Sequence, residues 1–319
     1  MADIKCKQIG RDCPADGSPL GYPPNNIASI VFAAIFAGFF VCHIIQSWKF
    51  KTWGFMVAMC LGSQTEVLGY IGRILMHKNP YKLGTFLINT ICLTTGPAFY
   101  SAGLYLCLSR IVIVYGHKIS AIRPVWYTRF FIFCDMISLS LQGVGGGLAA
   151  SANRDSTMET GNKLMLAGLI FQIVSLVIFA GACGHFFFRV RKVPSLKDPL
   201  YRRLRSTAKF RGFLWAMAVS FITIFTRCVY RAVELGGGWN NKLMREELPF
   251  IILESCMIVI AVAALVLYHP GSSFQGYFNT LDSRLRYTTI NNLNVEEGIA
   301  LAPVDDTAKM SHHHRFSSP

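Results

Sequence analysis

Long apolar stretches alternate with short polar segments along most of the chain. Seven stretches are long enough to cross a hydrocarbon core of roughly 30 Å, which takes about 20 helical residues. They lack the polar face that a helix of a soluble domain presents to water. The pattern therefore predicts an all-α, polytopic membrane protein with seven transmembrane helices. These lie at approximately residues 27–46, 53–76, 84–114, 125–150, 163–188, 213–235 and 248–268.

Two polar segments flank the predicted membrane domain of residues 27–268. Residues 1–26 contain charges, prolines and glycines, without the short apolar core of a cleavable signal peptide. We expect them to form an extracellular N-terminal segment, with the first apolar stretch acting as the targeting signal. Residues 269–319 are expected to be a disordered cytoplasmic tail.

The distribution of basic residues predicts the orientation. The formal net charge is +14, yet only 15% of residues are charged, against about 25% in soluble domains. Because the basic residues lie between apolar stretches, nucleic acid is not an expected partner. Under the positive-inside rule, the most basic loop is cytoplasmic, which places the N-terminus outside and the C-terminus in the cytoplasm. That loop, residues 189–212, contains Arg189, Arg191, Lys192, Lys197, Arg202, Arg203, Arg205, Lys209 and Arg211.

The chain contains ten cysteines. Eight lie in apolar stretches and are expected to act as small hydrophobic side chains. Cys6 and Cys13 lie in the N-terminal segment and could form a disulfide outside the cell, with two free thiols as the alternative. The spacing of the cysteines predicts neither a metal site nor a cofactor.

Ionisable residues recur inside the predicted helices, although each costs roughly 2.5–3.5 kcal/mol to insert at the bilayer centre. Spacings of three, four or seven residues place side chains on one helix face, so these residues form polar stripes. We expect the stripes to face a common polar cavity, which Tyr105 and Gln172 could also line. The stripes contain Glu66, Tyr70 and Arg73, then Asp135 and Gln142, then Arg227, Arg231 and Glu234, and finally Glu254.

Two interpretations of the stripes stay open. Arg227 and Arg231 repel each other at a spacing of four residues, so acids from other helices are expected to pair with them. Such a network could serve only to hold the bundle together. Alternatively, the acids and arginines could contact the polar headgroup of a ligand, and both roles can hold at once.

A series of spaced motifs runs through about residues 20–271. They are Tyr22-x-Pro24, His43, Gln46, Glu66-x-x-Gly69-Tyr70-x-x-Arg73, Pro97-Ala98-Phe99, Tyr105, Arg110, Asp135, Ser138, Gln142, Gly145, Gly161, Gly168, Gln172, Arg227-x-x-Tyr230-Arg231-x-x-Glu234, Glu247 and His269-Pro270-Gly271. In order and spacing, this series resembles the fungal RTA-like, lipid-translocating exporter family. The last helix departs from the family pattern, with Phe250 and Leu253-Glu254 where the family often has Tyr and Phe-Asp.

The resemblance implies a seven-helix fungal membrane protein and favours the plasma membrane as its location. Family members are linked to export or flipping of sphingoid long-chain bases, to resistance against toxic amphiphilic sterols, and to porphyrin handling. The expected partners are therefore membrane lipids and an amphiphilic small molecule, and the oligomeric state stays open.

Three functions remain as hypotheses. The leading one is a translocator of lipids or amphiphiles that contributes to lipid asymmetry or resistance. The second is a seven-helix sensor or regulator of lipid stress. The third, an intramembrane hydrolase, would need histidines and an acid to hold zinc. Only His43, His185 and His269 lie near helices, without an HxxxH pair, so the protein is not expected to be an enzyme.

Overall fold

The computed structural model describes residues 24–79, 81–116, 124–151, 155–193, 199–237 and 246–275, together with residues 277, 278 and 281. Regular structure among these residues is entirely helical. Cys6 and Cys13 lie outside the described residues. The helices before the last membrane-length helix are α1 (Asn26–Phe50), α2 (Trp53–Lys78), α3 (Leu83–Tyr115), α4 (Pro124–Ser151), α5 (Asp155–Lys192), α6 (Arg202–Ser206) and α7 (Ala208–Gly236).

The last long helix, α8, consists of three consecutive segments. A single turn at Glu247–Pro249 leads into a π-helical segment at Phe250–Cys256, and an α-helix at Met257–Leu267 follows. A short helix, α9 (Pro270–Ser273), ends the described helical structure.

Six of the helices are long and apolar enough to cross a membrane, and the protein is an integral membrane protein. The apolar pattern predicts seven spans, and the additional one is α2. Its glycines, hydroxyl residues, Glu66 and Arg73 lower its mean hydropathy. The six candidate spans are Asn26–Phe50, Gly84–Tyr115, Thr128–Ala149, Ser156–Lys192, Ala208–Gly236 and Glu247–Ser273.

The helices extend beyond the apolar stretches that predict them. The difference is largest in α5, which runs over Asp155–Lys192 where the apolar pattern predicts 163–188. Helical hydrogen bonding continues through polar residues at both ends of this helix. The apolar pattern marks the part of each helix suited to lipid contact, and it does not mark where the helix ends.

The connection between α1 and α2 is a tight turn. Asn25 caps α1, since its side chain accepts hydrogen bonds from the amides of Ile27 and Ala28. At the other end, Lys51 adopts a left-handed conformation with φ of 55°. With so short a connection, α2 turns back against α1. It also packs along α3, the most deeply buried of the candidate spans.

Exposed tryptophans mark one end of the bundle. Trp48 and Trp53 flank the α1–α2 turn, and their rings contact each other at 5.9 Å. Trp126 and Trp215 lie near the starts of α4 and α7, and all four tryptophans are at least half exposed. Tryptophan is enriched at membrane–water interfaces, so these side chains mark one interfacial level.

Helices α4 and α5 approach closely at glycines. A Cβ atom added at Gly145 would lie 2.6 Å from the backbone nitrogen of Met165, and one at Gly161 would lie 2.6 Å from that of Ala149. Small residues allow such close backbone packing in membranes. The glycine-rich stretch of α4 therefore serves packing, and the helix continues through it.

The start of the C-terminal tail differs from the predicted disorder of residues 269–319. Phe274, Phe278 and Leu281 are fully or almost fully buried. The ring of Phe274 contacts that of Phe210 on α7, with 5.4 Å between centroids. These apolar side chains, isolated in a polar sequence, are the physical reason that the first part of the tail packs against the bundle.

Candidate functional site

The polar centre of the bundle is an arginine held between two acids. Nη2 of Arg227 on α7 lies 3.2 Å from Oε1 of Glu66 on α2 and 3.2 Å from Oε1 of Glu254 on α8. The same nitrogen donates a hydrogen bond to the backbone carbonyl of Leu93 on α3. All three charged side chains are at most 3% exposed. One guanidinium thus ties four helices together.

Two further ion pairs extend this cluster. Arg231 Nη1 lies 2.5 Å from Oε2 of Glu234, three residues further along α7. Arg73 on α2 pairs with Glu247 on α8 at 3.2 Å, and its guanidinium lies 3.8 Å from the centre of the Phe250 ring. The stripes predict an acid from another helix for Arg231. The ion-pair partner is Glu234 of the same helix, because a spacing of three residues already brings the two side chains together, while Glu254 of α8 adds a second negative charge nearby.

The π-helical segment of α8 carries two members of the site. Glu254 reaches Arg227, and the neighbouring Ser255 accepts a hydrogen bond of 2.7 Å from the hydroxyl of Tyr70. Both α8 residues are 1% exposed. A π-helical turn contains more residues than an α-turn and is frequent at functional sites. We refer below to Glu66, Tyr70, Arg73, Arg227, Arg231, Glu234, Glu247, Glu254 and Ser255 as the arginine network.

Asp135 on α4 forms a different kind of site. It is 3% exposed, and its Oδ2 accepts a hydrogen bond of 2.8 Å from the hydroxyl of Ser101 on α3. Tyr105 lies beside the same carboxylate. The Tyr105 hydroxyl is close enough to interact with this carboxylate, although among the described residues neither it nor Oδ1 of Asp135 completes a hydrogen bond of good geometry. Within the same residues, Asp135 forms no ion pair.

Gln142 and Gln172 form an uncharged contact between α4 and α5. Nε2 of Gln142 donates hydrogen bonds to Ser138 Oγ at 2.8 Å and to Gln172 Oε1 at 3.0 Å. Ser138 in turn donates to the carbonyl of Gly168 at 2.7 Å. This chain of hydrogen bonds joins the two helices beside their glycine contact.

The structure therefore distributes the eleven predicted site residues over three clusters. Seven belong to the arginine network, Tyr105 and Asp135 to the second cluster, and Gln142 and Gln172 to the third. Glu234 and Arg231 lie within the network rather than facing Asp135. The predicted common cavity for all eleven rests on helical spacing, which shows which residues share a face but not which face meets which neighbour.

Several partners in these clusters were not predicted. Ser101 and Ser255 are ordinary serines in apolar helices, and hydrophobic periodicity does not distinguish them from other serines. The carbonyl of Leu93 is a backbone group that no side-chain pattern reveals. Phe250, the aromatic partner of Arg73, stands out in the sequence only as a departure from the family pattern, which does not predict this contact.

The histidines weighed for a hydrolase do not form one group. His43 and His269 lie close, with ring centroids 6.3 Å apart, and Ser47 hydrogen-bonds to His269 at 3.2 Å. His185 lies on the exposed side of α5. Among the described residues there is no cluster of three or more His, Cys, Asp or Glu side chains that could hold a metal ion.

The fold and the site define a class of protein: a helical, polytopic integral membrane protein with a charged network inside its bundle. The chain belongs to the RTA1-like family, whose model, described as "RTA1 like protein", matches residues 59–277. The resemblance inferred from the spaced motifs is thereby confirmed.

Named relatives occur in yeast. The sphingoid long-chain base transporter RSB1 of Saccharomyces cerevisiae (strain Lalvin EC1118 / Prise de mousse) is 38% identical, over 80% of this chain and 74% of the relative. Protein RTM1 of Saccharomyces cerevisiae is 27% identical, over 72% and 71%. Protoporphyrin uptake protein 1 of Saccharomyces cerevisiae (strain ATCC 204508 / S288c) is 27% identical, over 69% of each chain. No solved structure matches this chain.

Proposed function

We propose that the protein is a transporter of lipid-like amphiphiles that moves single-chain cationic lipids of the sphingoid long-chain base type between membrane leaflets. One relative, which is 38% identical to this chain, is named a sphingoid long-chain base transporter, and this supports the proposed function. The single structural observation that carries it is the buried carboxylate of Asp135, which lacks a basic partner among the described residues. Movement of such lipids would contribute to lipid asymmetry or to resistance, and we place the protein in the plasma membrane.

The chemistry of Asp135 fits an amine ligand. A carboxylate inside the membrane is costly unless a cation or hydrogen-bond donors compensate it. Ser101 donates one hydrogen bond to Oδ2, and Oδ1, with the Tyr105 hydroxyl nearby, can accept from a further donor. The ammonium group of a long-chain base supplies both the charge and the donors. The nearby Tyr105 hydroxyl can bond to a hydroxyl of the same headgroup.

The arginine network takes the structural role in this proposal. Each of its four acids, Glu66, Glu234, Glu247 and Glu254, already lies within 3.2 Å of a guanidinium. An incoming amine would therefore have to displace an existing ion pair. Gln142 and Gln172 likewise bond to each other. Of the predicted site residues, Asp135 and Tyr105 are left to receive the substrate.

We further propose that α2 is a seventh span, with the N-terminus outside and the C-terminus in the cytoplasm. At 26 residues, α2 is about 39 Å long, and it packs along two neighbouring spans, α1 and α3. Packing against those helices covers its polar face. The basic segment 189–212 and the four exposed tryptophans then lie at the cytoplasmic end.

Reconstitution tests the function. Purified protein in liposomes is expected to accelerate leaflet exchange of a fluorescent long-chain base, and Asp135→Asn is expected to reduce exchange to the level of empty liposomes. Asn preserves the shape of the side chain and removes the charge that binds the amine. Unchanged thermal unfolding of the variant serves as the folding control. Absence of exchange with folded, unsubstituted protein would contradict transport and favour a lipid sensor.

A further inference from the structure

An apolar pocket of about 280 Å³ opens between α3, α5 and α7. Leu104, Leu108 and Phe179 form its buried floor, and Ile222, which is 61% exposed, lies at its outer rim. Every lining side chain is apolar or a cysteine. The pocket therefore offers neither a charge nor a strong hydrogen-bonding group to a polar ligand, and its rim lies where the bundle faces lipid.

This pocket adjoins the Asp135 site through aromatic rings. Phe179 on the pocket floor lies 4.6 Å from the Tyr105 ring, measured between centroids, and Tyr105 lies beside Asp135. Phe131 of α4 contacts both rings, at 5.4 Å from Tyr105 and 5.2 Å from Phe179. These rings therefore lie between the Asp135 carboxylate and the apolar pocket.

We propose that the pocket binds the hydrocarbon chain of a single-chain amphiphile whose ammonium group is held at Asp135. This inference rests on the proposed function and identifies the second half of the substrate site. The Phe179 and Tyr105 rings lie at the junction of headgroup and chain. The chain extends from there along Leu104 and Leu108, towards the end of the bundle where α5 ends and α7 begins.

The size of the pocket indicates one chain rather than two. A dry cavity of about 150 Å³ lined by similar side chains accepts benzene, so a pocket of about 280 Å³ accommodates an alkyl segment of roughly ten carbons. A two-chain phospholipid would leave its second chain outside. Because lipid tails are as apolar as leucine, a hydrocarbon chain gains no hydrophobic free energy when it moves from the bilayer into the pocket. Fit to the pocket and the contact at Asp135 must therefore provide the selectivity.

Cys183 provides a binding readout that is independent of transport, since it lines the pocket on α5. The experiment labels the reconstituted protein with a small, membrane-permeant maleimide at neutral pH over hours, because thiols in apolar surroundings react slowly and the sphinganine amine consumes maleimide at alkaline pH. Mass spectrometry then compares the labelling rate of each cysteine with and without sphinganine. At a sphinganine concentration of about five times Kd, the free fraction falls to about one sixth, so modification of Cys183 should slow about sixfold. Cys42 on α1 lies outside the pocket and is the internal control.

Three results would overturn the proposal. The first is equal labelling of Cys183 with and without sphinganine. The second is protection that persists in Asp135→Asn. The third is equal protection by the matching long-chain alcohol, which lacks the amine; the pocket would then be a general groove for lipid chains.

A pair of size variants completes the test. Ala180→Phe fills the pocket and should abolish both Cys183 protection and leaflet exchange. Gly181→Phe adds the same ring on the neighbouring residue, where an added Cβ meets open space, and should preserve both. Protection without exchange in the unsubstituted protein would refute transport while supporting the site. Exchange that needs Asp135 but is unaffected by Ala180→Phe would refute the pocket assignment while supporting transport.

Discussion

The arginine network and the Asp135 site place the same kind of group, a buried carboxylate, in two different electrostatic situations. Glu66 and Glu254 share Arg227, and each lies 3.2 Å from its guanidinium. Asp135 is buried to a similar extent, but the polar groups beside it are two hydroxyls, that of Ser101, which donates to it, and that of Tyr105. The first arrangement is compensated within the protein, whereas the second is left open to a cation from outside.

This difference separates two consequences of burying charge in a membrane protein. A buried ion pair contributes little net stability, but removal of one partner leaves an uncompensated charge and is strongly destabilising. A buried acid without a basic partner is costly from the start and is typical of substrate or ion pathways. The two regions should therefore respond in opposite ways to mutation, with stability affected in one and transport in the other.

The largest expected effect is that of Arg227→Met, which breaks the arginine network at its centre. Glu66 and Glu254 would then lose the cation that lies between them, at a cost of about 3–5 kcal/mol in the free energy of unfolding. Thermal and denaturant unfolding in detergent micelles would measure the loss. The triple variant Arg227→Met, Glu66→Gln, Glu254→Gln removes all three charges and should recover most of the stability. If Arg227→Met unfolds like the unsubstituted protein, the network does not hold the bundle.

A smaller effect is expected for Ser101→Ala, which sharpens the assignment of Asp135. A hydrogen bond to a charged group contributes about 1.5–3 kcal/mol, and its loss leaves the carboxylate less well positioned for an amine. About tenfold more sphinganine should be needed to protect Cys183 to the same extent, which is equivalent to about 1.4 kcal/mol in binding free energy. Ser101→Thr retains the hydroxyl and is the matched control. Equal weakening in both variants would show that the hydroxyl is not the relevant group.

The smallest effect is expected at the outer edge of the network, with Arg73→Lys. Lysine retains the charge opposite Glu247 but loses the planar group that stacks on Phe250. The expected loss is about 0.5–1 kcal/mol in unfolding free energy, with leaflet exchange unchanged. Glu159→Gln, which removes the exposed pair with Lys163, should have no measurable effect. A loss of exchange in Arg73→Lys would contradict the assignment of the arginine network to a structural role alone.

The sequence predicts the helices well because the bilayer imposes a length and a composition on each span. The same physics explains the prediction that Arg227 needs acids from other helices, which Glu66 and Glu254 confirm. The sequence could not predict the burial of Phe274 in the tail. Its ring packs against Phe210 of α7, and this surface forms only when the bundle folds.

The grouping of the site residues could not be derived from the sequence. Helical periodicity places Asp135 and Gln142 on one stripe, yet Asp135 contacts Ser101 of α3 and Gln142 contacts Gln172 of α5. Which neighbour a residue meets depends on its depth along the helix and on how the helices are rotated. The π-helical segment of α8 adds a further change of register, which brings Glu254 and Ser255 to buried partners.

The most direct test compares two neutralised acids in one assay. Asp135→Asn and Glu254→Gln each remove one buried carboxylate, and both would be reconstituted for leaflet exchange of a fluorescent long-chain base. Glu254→Gln removes one of the two acids that pair with Arg227, so we expect this variant to unfold at a lower temperature. Because Glu66 still pairs with Arg227, the bundle should stay folded and most of the exchange rate should be retained. Asp135→Asn is expected to lose exchange and to keep its unfolding temperature. The reverse result, exchange lost in folded Glu254→Gln and retained in Asp135→Asn, would contradict the division of the molecule into a structural network and a substrate site.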